Sequence, residues 1–454
     1  MEYPSFIAKL DSIMATAKKI HFIGIGGISV SSLAFITKQN GLDVTGSDRM
    51  RSEMTGRLED AGIRVIYGHY PESVEGADAV IYTSAVHPDN PELAAALEKG
   101  IPTFTRAEYL GWLMLAYRHR IGIAGSHGKS TVTAMISVIL MAAGEDPTVL
   151  CGAEMKEIGG AFRLGGRGFF VFEACEYCDS FLSFFPTLPV ITNIEYDHPD
   201  YFKTMDMLRA SFLRFAGKSD TALINLDDGE SLALSEKYGG NVVSVGGNGR
   251  FSVSDVVFEG LGSSFDLLEY GKKLVRITLR VPGMHNVRNA LAACAAVISL
   301  GISPEYCASA LSGFGGVARR FEYLGVNKNG LTVYDDYAHH PTEIDAVVKA
   351  AMKTDKNLVV LFQPHTYSRT KALFDDFRRV LSRAETLLIC DTYAARENPS
   401  DGVTSDVLAA SIDGAVYTGS LLQTADFIKS NYGENDLLLI LGAGDVVKVG
   451  NLVL

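Results

Sequence analysis

A chain of 454 residues is too long for one hydrophobic core, and its composition, 47% hydrophobic and 21% charged, is that of a multidomain globular enzyme. No apolar stretch reaches the roughly 18 residues that span a bilayer, and a net charge of −12 with no long basic run excludes a sequence-independent grip on nucleic acid. Six cysteines show no disulfide framework, and Met1 to Lys19 mixes charged with apolar residues instead of setting a charged segment before an apolar one, so the expectation is a cytoplasmic protein with no secretory leader.

The first segment, residues 1–116, opens its alternation with an apolar strand at Ile20 to Gly24, a glycine turn Gly24-Ile25-Gly26-Gly27-Ile28-Ser29, and a helical stretch to Asn40. Strand and helix patterns then alternate through Leu42 to Gly46, Met54 to Ala61, Ile63 to Ile66, Ala79 to Thr83, Pro91 to Lys99 and Ile101 to Phe104, which predicts a parallel sheet covered by helices. The turn is an imperfect dinucleotide fingerprint: Gly24 and Gly26 are in place, Ser29 replaces the third glycine, and Asp48 follows downstream. Its surviving physical content is a helix N-terminus at the carboxyl end of a strand, where a diphosphate can rest without belonging to NAD. Asp48 fits either a ribose acceptor or a capping or turn aspartate.

The second segment, residues 117–317, carries the main signal. Arg120 to Ala124 reads as a buried strand, Thr131 to Ala143 as a helix, and Gly125-Ser126-His127-Gly128-Lys129-Ser130-Thr131 joins them. Glycines let backbone amides approach phosphate oxygens, the helix dipole favours the anion, Lys129 supplies a point charge and the Ser130 hydroxyl suits magnesium. The spacing is the tighter Gly-x-x-Gly-Lys-Ser form, since Ile123 stands where the longer loop has its first glycine. Strands at Gly168 to Phe172 and Pro189 to Ile194 deliver Glu173 and the run Glu195-Tyr196-Asp197-His198 to carboxyl ends, where a parallel sheet forms its ligand crevice. Cys175 and Cys178 make a lone Cys-x-x-Cys without a second pair at zinc spacing. Phe251 to Phe258, Ser264 to Tyr270 and Lys272 to Val281 predict a small antiparallel patch, and a helix from Gly283 to Leu300 sets His285 and Asn289 on one face.

The third segment, residues 318–454, follows a charged break at Arg319-Arg320-Phe321-Glu322, read as a hinge. Buried strands at Leu331 to Asp336, Leu358 to Phe362, Thr386 to Asp391 and Leu437 to Leu441 exit into polar loops: Asp335 to Pro341, Gln363 to Arg369, Asp391 to Tyr393 and Gly442 to Asp445. Helix capping accounts for Glu343 but is not sufficient for His339, His340 and Arg369.

Together the short phosphate loop, Glu173, His198, the Gly283 to Asn289 helix start, Arg319 to Glu322 and Asp335 to Glu343 resemble the Mur ligase family over nearly the whole chain. Within it, His21 to Gly27, Asp336-Tyr337-Ala338-His339-His340-Pro341-Thr342-Glu343 and Phe362-Gln363-Pro364-His365 look like the branch that joins L-alanine to UDP-N-acetylmuramate. The resemblance implies an α/β fold of three domains: a Rossmann-like N-terminal domain holding the UDP sugar, a P-loop ATPase-type central domain, and a Rossmann-like C-terminal domain that closes over the substrates.

It further implies ATP on Gly125 to Thr131, His285, Asn289, Arg320 and Asp336. Two magnesium ions would sit on Ser130, Glu173 and His198, and the UDP sugar on Gly24, Gly26, Gly27, Asp48 and Ser84, with His127 and Asn193 near the sugar acid. Tyr337, His339 and Arg369 would take the amino acid, with His339 a candidate base, and Lys129, Glu173, His198, His339 and Arg369 form the implied catalytic set. Two departures stand out. Phe212 occupies the position where other branches carry a carbamylated lysine, and Thr366 stands where some members have arginine, which shifts carboxylate recognition onto Arg369. The implied protein is a monomer or weak homodimer that binds neither nucleic acid nor membrane. The competing readings are a recycling ligase of the same family that adds a peptide, an NAD-dependent oxidoreductase built on Gly24 to Gly27, and a nucleotide-binding regulator without turnover.

Overall fold

A computed structural model describes residues 3–83, 85–198, 201–395 and 397–454. Its strands form three sheets, and the chain divides into two compact units, Met1–Gly247 with Ala295–Leu300, and Asn248–Cys294 with Gly301–Leu454.

In the first unit, strands β1 (Lys19–Ile23), β2 (Asp43–Asp48), β3 (Arg64–Tyr67), β4 (Ala79–Tyr82) and β5 (Thr103–Thr105) pair in parallel in the order β3-β2-β1-β4-β5. Helices α1 (Ser5–Met14), α2 (Ile28–Gln39), α3 (Glu53–Asp60), α4 (Pro91–Glu98) and α5 (Arg106–Met114) accompany them. The sequence pattern gave no element before Lys19. The structure forms α1 there, burying Ile7 and Leu10, with the Tyr3 and Phe6 rings 5.1 and 6.3 Å from that of Phe185.

The same unit holds β6 (His119–Ala124), α6 (Lys129–Ala142), β7 (Thr148–Met155), β8 (Gly160–Arg163), β9 (Phe169–Glu173), β10 (Leu188–Ile191), α7 (Met205–Ala216), β11 (Thr221–Asn225), α8 (Gly229–Lys237) and β12 (Asn241–Val245). These strands run in the order β12-β11-β10-β6-β9-β7-β8, with β7 and β8 antiparallel. β6 therefore lies between β10 and β9, so the chain leaves its carboxyl end with a neighbour on either side, the switch-point geometry that opens a ligand crevice. One buried cluster, including Phe22, Leu33, Tyr109, Phe172 and Phe212, runs through both sheets of the unit. Apolar burial at about 25 cal/mol per Å² makes this shared core the main force holding the two sheets as one body.

The second unit contains the antiparallel patch β13 (Phe251–Glu259), β14 (Gly262–Glu269) and β15 (Lys272–Leu279). The helices α9 (Met284–Ser299) and α10 (Pro304–Gly313) follow. Its main sheet consists of β16 (Glu322–Val326), β17 (Thr332–Asp336), β18 (Asn357–Phe362), β19 (Thr386–Cys390), β20 (Val416–Gly419) and β21 (Asp436–Leu441) in the order β16-β17-β21-β18-β19-β20. Helices α11 (Pro341–Ala351) and α12 (Tyr367–Ala372) follow β17 and β18. Here β21 lies between β17 and β18, a second switch point. The break read as a hinge at Arg319 to Glu322 is a tight reversal: Arg319 and Phe321 adopt positive φ values of 59° and 51°, and Glu322 starts β16, antiparallel to β17.

Candidate active site

The loop between β6 and α6 is held from below by the exit of β10. Ser126 N–H donates to the Asn193 carbonyl at 3.1 Å. The Asn193 side chain accepts from His127 N–H at 2.9 Å and donates to the His127 carbonyl at 3.0 Å. The Ser126 hydroxyl donates to the Glu195 carbonyl at 3.0 Å, and His127 Nε2 lies 2.8 Å from Glu195 Oε2. Gly125 has to be glycine, since a Cβ on it would come within 2.0 Å of Thr192 Oγ1 and its φ is 150°. The amides of Ser126 and His127 thus fix the loop, while α6 follows Gly128 (φ 85°) with no side-chain cap on its first turn. Those first-turn donors are the ones suited to a phosphate.

Lys129 does not point outward. Its ammonium donates to the Gly125 carbonyl, to the Ser126 carbonyl at 3.3 Å and to Glu176, whose Oε2 is 3.2 Å away, so all three protons have partners. Burial would lower the lysine pKa, but the negative charge of Glu176, with Glu173 nearby, outweighs it and raises the pKa above the ordinary value. Glu176 is almost completely buried and also approaches His198, whose Nε2 is 3.9 Å from Oε1. His198 sits in a left-handed conformation with φ 57°, its ring 4.9 Å from that of Tyr177.

Glu173 ends β9, as its strand position predicted, and its Oε1 accepts from Gly152 N–H and from Cys151 Sγ at 3.4 Å. The same Cys151 thiol lies 3.6 Å from the Ser130 carbonyl, which places Glu173 beside the start of α6. The carboxylate that touches Lys129 and His198 is nevertheless Glu176, which the strand-end argument passed over. The sequence signal available was the repeated acid in Glu173-Ala174-Cys175-Glu176. Phe212 is fully buried, edge-on to Phe181, so it offers no lysine-like group.

In the first sheet, Asp48 neither caps a helix nor faces outward with both oxygens. Its Oδ2 accepts from Gly26 N–H at 2.8 Å and its Oδ1 from Arg49 N–H at 2.8 Å, while Ser52 caps α3. Gly24 and Ile25 donate to the Ser47 carbonyl at 2.9 Å each, and Gly27 donates to the Gly24 carbonyl at 3.3 Å. The glycine-turn amides are therefore spent within the fold, and the N-terminus of α2 carries no side-chain cap. Ser84 lies outside the described residues.

In the second unit, Asp336 accepts from Phe321 N–H and Ala338 N–H, both at 2.7 Å. Burial nevertheless pushes its pKa up to about 7, against the opposing pull of Arg320. Arg319 bonds Asp335 at 2.9 Å and the carbonyls of Gly442 and Gly444, and both Arg319 and Arg320 lie over the Tyr337 ring. His340 also caps α11, with Thr342 N–H 3.4 Å from its Nδ1, alongside Glu343. His339 differs: its Nδ1 is 3.0 Å from the Tyr337 carbonyl, which fixes Nδ1 as donor in the neutral ring and leaves Nε2 as the basic nitrogen. Arg369 lies in the first turn of α12. His285 and Asn289 share α9, where Asn289 bonds Asn286 at 3.3 Å. Burial, then Arg320, depresses the His285 pKa to about 4, so its imidazole is neutral.

Mostly parallel sheets with a phosphate loop at one switch point define a P-loop nucleotide-dependent enzyme. Residues 19–118 match the Mur ligase family, catalytic domain; residues 123–297 match the Mur ligase middle domain, and residues 319–444 the Mur ligase, glutamate ligase domain. The chain belongs to the Mur ligase family. It is 45% identical over 444 residues to the UDP-N-acetylmuramate--L-alanine ligase of Lachnospira eligens, covering 95% of this chain and 96% of that one. It is 44% identical, with the same coverage, to that of Caldanaerobacter subterraneus subsp. tengcongensis. The crystal structure of the UDP-N-acetylmuramate-alanine ligase of Thermotoga maritima superposes with a TM-score of 0.82 at 30% identity, over 96% of this chain and 98% of that one.

The Lys129–Glu176 pair predicts an exchange. Glu176→Gln leaves a desolvated ammonium without its counter-charge, so the ligand-free protein melts at a lower temperature and ATP raises the Tm by more than in the wild type. Differential scanning fluorimetry with and without ATP reads both, and an ATP-induced shift no larger than in the wild type contradicts the pairing. A second expectation concerns acid. His285 has a folded pKa below its unfolded value near 6.5, so its contribution to stability is complete above about pH 6.5 and is lost as pH falls toward 4, at about 1.4 kcal/mol per unit of depression. His285→Gln, followed by thermal melts from pH 7.5 to 4.5, should flatten the decline; an unchanged slope places the acid lability elsewhere.

Proposed function

We propose that this chain is an ATP-dependent ligase that joins the carboxylate of UDP-N-acetylmuramate to the amino group of L-alanine in peptidoglycan precursor synthesis. The observation that carries the reading is the phosphate loop: an uncapped helix start at a switch point, ringed by carboxylates, in a chain whose full-length relatives at 44 and 45% identity bear that name.

A carboxylate resists amine attack because its charge repels the nucleophile and oxide is a poor leaving group. Passing the γ-phosphoryl of ATP to the sugar acid makes an acyl phosphate, which the alanine amine attacks with release of phosphate. Gly125 to Thr131 would hold the triphosphate, with Lys129 turning from Glu176 toward the developing charge. The donor set fits magnesium: the Ser130 hydroxyl and the Glu173 carboxylate are hard oxygen ligands, Cys151 links the Ser130 backbone to Glu173, and His198 stands across Glu176 for a second ion. Bound there, magnesium would neutralise phosphate oxygen charge. Gly24, Gly26, Gly27, Asp48 and Ser84 serve the UDP sugar, with Asp48 acting through Gly26, while Asn193 and His127 set the loop beside the sugar acid.

His285 and Asn289 are assigned to adenine, Asp336 to the ribose and Arg320 to phosphate. Tyr337, His339 and Arg369 take the amino acid, with His339 Nε2 the acceptor for the amine proton. No helix among the described residues is long and apolar enough to cross a membrane. The proposal extends to a cytoplasmic setting, which six cysteines without a disulfide framework favour, and to a monomer or weak homodimer acting on small molecules.

Inorganic phosphate release, measured with UDP-N-acetylmuramate, ATP and one amine at a time, tests the reading. L-Alanine should exceed glycine and serine by the 10- to 200-fold that roughly 1 to 3 kcal/mol allows, and a tripeptide should be inert; preference for the tripeptide assigns the recycling activity instead. Lys129→Ala should lower alanine-dependent turnover by at least about 100-fold, and near-normal turnover refutes the role of the loop.

A further inference from the structure

A cavity of the first unit lies at the opposite ends of the strands from both glycine turns. Ala17, Leu42, Tyr117 and Arg167 line it, and each stands one or two residues before a strand, respectively β1, β2, β6 and β9. The cavity therefore sits at the amino ends of strands from both sheets, whereas the glycine turn and the phosphate loop leave carboxyl ends. Its volume is about 720 Å³, within the roughly 300 to 1,000 Å³ of ordinary small-molecule sites.

Part of its wall is aromatic. Trp112, the single tryptophan of the chain, is half-buried with its ring 5.6 Å from that of Tyr109, and the Tyr109 hydroxyl is fixed by a 2.8 Å hydrogen bond to Thr37. Trp112 Nε1–H donates to Asp11 Oδ1 at 2.7 Å. The lining carries two charged side chains, Asp11 and Arg167, and among the described residues neither has an ion-pair partner. Arg167 is within electrostatic reach of the Tyr117 hydroxyl. Three helices also end on the cavity: Met14 and Ala15 end α1, Asn40 and Gly41 follow α2, and Leu115 and Ala116 follow α5. The last carbonyls of a helix have no partner within it and its dipole is negative there, so all three ends favour a cation. Only α2 has a basic residue, Lys38, in its last turn.

We propose that this cavity binds a short apolar peptide as a zwitterion, its ammonium group between Asp11 and the helix ends, its side chains on the Trp112 and Tyr109 rings, and its carboxylate on Arg167. An ammonium beside these aromatic faces gains a cation–π attraction, and the guanidinium offers a carboxylate paired donors. One acid, an apolar floor and one base match a peptide and oppose a nucleotide, whose phosphates would meet three negative helix ends and a carboxylate. The site does not rest on the proposed ligase activity, since none of the residues assigned to that reaction lines it. Ile36, Tyr109, Leu113 and Tyr117 belong at once to its lining and to the core shared by the two sheets, so a bound peptide acts on that core without competing for ATP or the sugar acid.

Because Trp112 is the single tryptophan, its emission reports on the cavity directly. Titration of the wild type with leucyl-phenylalanine should change that emission saturably, with an apparent Kd below about 1 mM, and equally so when ATP and UDP-N-acetylmuramate are present in excess. N-acetylation of the peptide should weaken binding by about 10-fold and C-terminal amidation by about fivefold. Asp11→Asn, which keeps an acceptor for the Trp112 N–H, should weaken the free peptide by about fivefold and leave the acetylated one unchanged. Arg167→Gln should do the same, with the amidated peptide as its insensitive control. Both side chains are exposed, so the variants should melt like the wild type. Should either fail to fold, the two capped peptides test the same charges on the wild-type protein. No saturable change, equal affinity for the free peptide and either capped one, or loss of the signal when ATP and the sugar acid are added overturns the site.

Discussion

The contact between Lys129 and Glu176 is the constraint around which the central site is organised. A phosphate loop gathers a lysine, a helix dipole and converging amides, all of which call for negative charge. With the ammonium drawn into its own loop, a cation in such a place carries a desolvation cost of several kcal/mol unless an anion meets it. Glu176 is that anion, and because it also approaches His198 it ties the exit of β9 to the exit of β10 across the start of α6. On the proposed role of the loop, a triphosphate would have to supply more to Lys129 than the carboxylate it displaces, so affinity for nucleotide would be a difference between two anions and not the sum of the contacts of one.

The two glycine turns of the first unit show how similar sequence grammar gives different chemistry. Both follow a central parallel strand and both open a helix. In the first, the amides of Gly24 to Gly27 are satisfied by Ser47, Gly24 and the Asp48 side chain. Gly26 is held so closely that a Cβ would come within 2.8 Å of the Asp48 carboxylate. In the second, Ser126 and His127 are consumed by the scaffold, through Asn193, and among the described residues no side chain caps the helix start. A closed turn shapes a surface for a larger ligand, whereas an open one presents donors directly. On the proposed activity, this difference would let one unit take a sugar nucleotide and ATP without either turn being a complete copy of a dinucleotide site.

The buried strands, the phosphate loop and the placement of Glu173 at a strand end were legible because each depends on short-range pattern: apolar runs of five or six residues, glycine before lysine, a polar residue where a strand stops. Of the strands that escaped notice, β7, β8, β16 and β20 lie at or next to a sheet edge, β12 carries mixed polarity, and β11 offers only three consecutive apolar residues; α1 precedes the first strand–helix alternation that the pattern could be read against. Glu176 was hidden for another reason. It follows the strand, in a short turn whose next residues, Cys178 and Asp179, have φ values of 53° and 54°, and no periodicity announces that such a turn folds an acid back onto the preceding loop. The capping role of His340 was missed because histidine is not among the preferred caps; Pro341 and Glu343 alone pointed to a helix start there.

The second unit resolves its charges differently, by burying them. Arg319 is matched to Asp335 and two glycine carbonyls, His285 is kept neutral, and Asp336 accepts two amides yet is still pushed toward protonation. An Asp336 carboxylate with a pKa near 7 is stabilised when protonated, so the unit loses stability as pH rises from about 4 to 7, opposite in sign to His285 over nearly the same range. The two slopes partly cancel. Such a pair lets densely charged loops at the β17, β18 and β21 switch point tolerate a broad range around neutrality. It also means that the net slope with pH is the difference of two opposing ones, separable only by changing one residue at a time.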